Sequence, residues 1–69
     1  MQISARNQLP GTVKSVKFGN VMAEVIVSVG AGEVVAAITR ESAESLGLKE
    51  GDDVAVIIKS TDVMIARSP

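Results

Sequence analysis

The chain has neither cysteine nor histidine among its 69 residues. Without cysteine there is no disulfide framework and no thiolate metal site. Without histidine the commonest general base, the usual zinc ligand and every Ser-His or Cys-His nucleophile pair are missing. An enzyme is therefore not expected. Aromatic residues are almost as scarce, since tryptophan and tyrosine are absent and Phe18 stands alone. A basic surplus is also missing: seven Lys and Arg face eight Asp and Glu, for a formal net charge of −1. Nucleic-acid binders meet phosphates with a basic excess, so no nucleic-acid partner is expected. No apolar run approaches the ~20 residues of a membrane helix. Nor does a charged-then-apolar leader open the sequence. The expectation is a soluble, cytoplasmic protein without a membrane partner.

What the chain does contain is aliphatic mass. Hydrophobic residues make up 46%, carried by Val, Ile and Ala with a few Leu and Met. No repeat or low-complexity segment divides residues 1–69, which read as a single domain. A domain of this size buries only about 60% of its unfolded surface, and without disulfides or metals it often gains stability by oligomerising.

The opening stretch, Ile3-Ser4-Ala5-Arg6-Asn7-Gln8-Leu9-Pro10-Gly11, mixes apolar with specific polar types. Run as a strand, it places Ser4 and Arg6 on one face, and Pro10-Gly11 ends or bends it. Thr12 to Phe18 is rich in β-branched residues, but Val13 differs in parity from Val16 and Phe18. Either both faces are partly covered or a bulge resets the register. Gly19-Asn20 reads as a tight hairpin turn using positive φ. Val21 to Val29 alternates cleanly, with Val21, Ala23, Val25, Val27 and Val29 on one face. After a turn at Gly30-Ala31-Gly32, Glu33 to Thr39 forms a third strand that is apolar on both faces. An antiparallel strand with one solvated face alternates more cleanly, so a second subunit is expected to cover the other face.

The period then changes. Glu41 to Leu46 reads as a short helix, with Thr39 or Arg40 at its N-cap and Gly47 as its stop. A turn over Leu48–Asp52 leads to a fourth strand, Asp53 to Lys59. Ser60-Thr61-Asp62 breaks it before a fifth strand, Val63 to Ala66, and Arg67-Ser68-Pro69 is a tail. The fold class is all-β. Five strands with one short helix between strands three and four match the five-stranded OB-like Greek-key barrel.

Three polar groups lie at element ends: Ser4 with Arg6, Thr39-Arg40-Glu41-Ser42, and Lys59-Ser60-Thr61. Singly they read as caps, turn formers and strand-end charges. Together they suit a small oxyanion. A tetrahedral dianion needs compensating charge and several donors, because burying an unpaired charge is prohibitive. Arg6 and Lys59 balance two negative charges, while Ser4, Thr39, Ser42 and Ser60 donate to oxygens. With no Cys, His or aspartate cluster, a bare metal cation is the poorer match. Donor counts do not name the anion.

The segments Ile3–Leu9 and Ile58–Met64, with Val21–Val25 and Ala37–Ser42 between them, resemble the molbindins, the small molybdate-binding Mop proteins. The resemblance covers essentially the whole chain, and Ser-Ala-Arg-Asn-Gln followed by a later Lys-Ser-Thr carries most of its specificity. It implies a Mop-type oxyanion-binding (TOBE) domain over residues 1–69 that stores molybdate, with tungstate also accepted. It further implies a homohexamer built as a trimer of dimers, with anions at subunit interfaces. By motif, the binding positions are Ser4, Arg6, Thr39, Ser42, Lys59 and Ser60. Arg40 lies inside the second motif without a feature that makes it a ligand. Two alternatives remain beside storage: a nucleic-acid-binding OB domain, and an oligomerisation module whose polar motifs are only caps and turns. A molybdenum-pterin ligand ranks below the simple anion, because no Trp or Tyr offers the ring a stacking partner.

Overall fold

A computed structural model describes residues 4–68. Ile3, expected to start the first strand, and Pro69 of the tail lie outside the described residues. Within them the order is β1 (Asn7–Phe18), β2 (Met22–Val29), β3 (Gly32–Thr39), α1 (Arg40–Leu46), β4 (Asp53–Ile58) and a short 3-10 turn at Ser60–Asp62. The strands form one antiparallel sheet in the order β3-β2-β1-β4.

The long strand β1 organises this sheet. Its first half pairs with β4, from Asn7 opposite Ile58 to Thr12 opposite Asp53. Its second half pairs with β2, from Thr12 opposite Ser28 to Phe18 opposite Ala23. Pro10-Gly11 does not end the strand, contrary to the expected break. Gly11 is instead demanded by packing: a Cβ there would sit 2.6 Å from the Ser28 carbonyl oxygen and 2.7 Å from a Val27 methyl. Between Val13 and Ser15 the register slips, so Lys14 is the extra residue of a β-bulge. The bulge resolves the parity conflict read from the sequence. Val13 faces inward before it, and Val16 pairs with inward-facing Val25 after it. Val13 then bonds the loop ahead of β4 instead, donating to Asp52 O at 2.8 Å and accepting from Gly51 N at 2.8 Å.

The inner face of the sheet carries the core. Val13, Ala23, Val25 and Val27 are buried, and Val16, Val29, Ala36, Ile38, Leu48, Val54 and Val56 pack around them, half-buried. α1 begins where Thr39 caps it by accepting from Ser42 N–H at 3.1 Å. It ends where Gly47 takes φ 62°, a left-handed conformation that costs a glycine little. Ala43, fully buried, docks the helix on the sheet.

Two expectations need correction. The turn after β1 uses no positive φ at Gly19 or Asn20. It is a wider loop, closed by Gly19 N–H donating to Met22 O at 2.7 Å. The expected fifth strand, Val63 to Ala66, is not paired among the described residues, where the sheet has four strands and is not a closed barrel. The 3-10 turn at Ser60–Asp62 sends the segment away from the sheet, and Met64 and Ile65 are 93% and 91% exposed. In its place an apolar cleft of about 620 Å³ stays open over the inner face, lined by residues such as Val25, Ala36, Ile38, Leu46 and Val54.

Candidate functional site

Ladder geometry brings the first and third motifs together. The last β1–β4 rung pairs Asn7 with Ile58, and Arg6 and Lys59 are the residues that flank it. Neither residue continues the ladder. Lys59 turns into Ser60–Asp62, and Gln8 Nε2 folds back to donate to Ala5 O at 3.1 Å. The expected extension of the strand through Ser4 and Arg6 is thus replaced by a bend. Two chain segments leave the sheet at one point, each carrying a cation and a serine: Arg6 with Ser4, and Lys59 with Ser60.

Ser4, Arg6, Lys59 and Ser60 are all exposed. Among the described residues, the ion pairs join Lys14 to Glu33, Arg40 to Glu44 and Lys49 to Asp52. Among the described residues neither Arg6 nor Lys59 belongs to these pairs, and the two flank the last β1–β4 rung. Two cations next to each other repel, and a dianion placed between them removes that repulsion. The arrangement can hold an oxyanion through a guanidinium fork, an ammonium and two hydroxyls.

Thr39 and Ser42 are brought together with each other but not with this pair. Their hydroxyls lie 2.7 Å apart, and Thr39 also caps the helix. Thr39 pairs with Met22 at the far end of the sheet, near Phe18, whereas Arg6 precedes Asn7 at the opposite end of β1. Twelve strand residues separate the two ends, roughly 36 Å along an extended strand at about 3.3 Å per residue. A single chain does not gather all six positions around one anion.

The apolar cleft touches none of the six. Its walls are mostly Val, Ala, Ile and Leu side chains, joined by Asp52 and Asp53, an environment that rejects an unpaired dianion. A smaller depression beside Thr39 is walled by Asn20, Val21, Arg40, Glu41 and Glu44. Arg40, set aside in the sequence, is the most heavily engaged side chain there. Its place four residues before Glu44, in a chain with one aromatic, was the available signal.

The family now follows. Residues 3–65 match the TOBE domain model, and the chain belongs to the TOBE domain family. Within it, the chain is 53% identical over 66 residues to molybdenum-pterin-binding protein 3 of Clostridium pasteurianum, covering 94% of this chain and 97% of that protein. Solved structures agree. MopII from Clostridium pasteurianum superposes with a TM-score of 0.89 at 46% identity, covering 96% of this chain and all (100%) of the other. A molybdate binding protein from Sporomusa ovata superposes with a TM-score of 0.92 at 40% identity, covering 97% of this chain and 100% of the other.

Proposed function

We propose that this chain binds molybdate, with tungstate as an accepted analogue, and serves as a non-catalytic cytoplasmic store of the oxyanion. The observation that carries the reading is that Arg6 and Lys59, each with a serine close by in sequence, flank the last β1–β4 rung. Its support is the molybdate named for the Sporomusa relative, whose fold this chain shares. A tetrahedral dianion matches two cations in charge and the flanking hydroxyls in number of donors. The printed names of the clostridial relatives include a pterin. Here the sole aromatic, Phe18, already has the Arg40 guanidinium over its ring at 5.6 Å, so the simple anion is the better fit.

The site is completed by further copies of the chain. Thr39 and Ser42 reach the Arg6–Lys59 pair only from a second subunit, which makes the anion site an interface site. Surface area supports association. The chain exposes 5575 Å², whereas a compact monomer of 7.1 kDa exposes about 4100 Å². Its radius of gyration is 12.8 Å, against about 11 Å for a compact chain of this length. The exposed Val63–Ile65 segment is part of that surface. In the proposed hexamer, a trimer of dimers, that segment supplies the fifth strand and closes an OB-like barrel.

Titration of purified protein with molybdate in a large excess of sulfate tests the reading. Saturable binding supports it, and absence of binding refutes it.

A further inference from the structure

We infer that Arg40 is a positioning residue for the anion site, one that sets the Thr39 and Ser42 hydroxyls without touching the anion; this rests on the molybdate-binding reading. The binding reading leaves two features unused, an arginine inside the second motif and a lone phenylalanine that is 45% exposed. The structure joins them. The Arg40 guanidinium lies over the Phe18 ring at 5.6 Å. One of its nitrogens donates to the Gly19 carbonyl at 3.2 Å, and its Nε faces the Glu44 carboxylate at 3.5 Å. The Arg40 backbone N–H adds a fourth tie, donating to Val21 O at 2.7 Å.

These contacts engage Nη1, Nε and one face of the guanidinium. One edge meets a carbonyl, another meets a carboxylate, and a face meets a ring, a combination that planar guanidinium supports and an ammonium does not. They also join three elements: the end of β1 at Phe18, the β1–β2 loop at Gly19 and Val21, and α1 through Glu44. Thr39 directly precedes Arg40 and Ser42 follows two residues later, so the same pin fixes where both hydroxyls lie. It has an electrostatic side as well. Glu41 and Glu44 flank the depression beside Thr39, and Arg40 neutralises the carboxylate of Glu44 that would otherwise repel a dianion.

The test uses the full-length protein in three forms, wild type, Arg40→Ala and Arg40→Lys, each titrated with molybdate in excess sulfate and scored for thermal stability. Backbone amide shifts of Asn20, Val21, Thr39 and Ser42 are recorded without anion. Arg40→Ala is expected to weaken molybdate binding about tenfold, the size of a lost charge-assisted hydrogen bond, and to move those four amides. Arg40→Lys keeps the charge but not the fork, and is expected to recover less than half of the loss in binding free energy. Full recovery by lysine would overturn positioning in favour of simple charge. A lowered melting temperature with unchanged affinity of the folded protein would also overturn it, leaving a merely structural pin. If wild type itself bound no molybdate, the binding reading would fail and this inference with it. Failure of the inference alone shows as normal wild-type binding with an unaffected Arg40→Ala.

Discussion

Arg6 stands just ahead of β1, exposed and without a carboxylate partner among the described residues. A side chain in that position contributes little to the fold, so Arg6→Ala should leave the melting temperature near wild type. It removes half of the compensating charge and a bidentate donor, so molybdate affinity should fall at least ~30-fold. A thermal melt and an isothermal titration of that variant check the two halves, and parental affinity would remove Arg6 from the site. Lys14 is a contrasting cation. Glu33 beside it raises its pKa above the ordinary lysine value of 10.5 through a hydrogen bond and charge attraction. A group whose pKa is raised on folding adds stability that is fully present below its unfolded value. That stability is lost only as pH rises through the folded value. Lys14→Met should therefore leave the shape of the stability–pH curve unchanged through neutral pH, with divergence from wild type only beyond 10.5. Because the pair is solvent-exposed, the size of that divergence is small. Denaturant melts across the alkaline range measure it.

At the scale of elements, two backbone devices hold the frame on which these residues ride. Gly11 lets β1 lie against β2 where any Cβ would collide with Ser28 O. Because the colliding atom is backbone, Gly11→Ala should cost about 2 kcal/mol, read as a shift in the denaturation midpoint. Thr39 caps α1, and Thr39→Ala should cost about 1 kcal/mol while also weakening anion binding. Most of this frame was legible in the sequence. The valine alternation of β2, the helix ending at Gly47 and the parity conflict at Val13 all left local marks. The conflict left two readings, partly covered faces or a bulge, and the register slip between Val13 and Ser15 decides for the bulge. Less legible was whatever depended on partners distant in sequence. Pro10-Gly11 resembles a break, but tertiary packing against β2 and β4 carries β1 straight through it. Val63–Ala66 has strand composition, yet composition does not say which chain holds its neighbour. The motif residues were readable as donors and cations. That Arg6 and Lys59 flank one end of the β1–β4 ladder while Thr39 lies at the other end of the sheet follows only from the ladder register.

For the whole molecule, the exposed area and the open apolar cleft describe a chain unfinished on its own. Burying about 1500 Å² of excess surface amounts to two interfaces of ordinary size, near 800 Å² per partner each. Sedimentation or light scattering should therefore report a mass several times 7.1 kDa, and the melting temperature should rise with protein concentration. With no histidine in the chain, no side chain of ordinary pKa titrates between about pH 6 and 8, so affinity for a fully ionised dianion should be flat across that range. The most direct measurement is isothermal titration with molybdate in a large excess of sulfate, which shares charge and shape with the ligand and leaves cavity size as the basis of choice. The expected result is saturable heat with more than one anion per pair of chains and little competition by sulfate. No heat, or heat abolished by sulfate, would contradict molybdate binding and leave a sheet domain whose polar motifs are caps and turns.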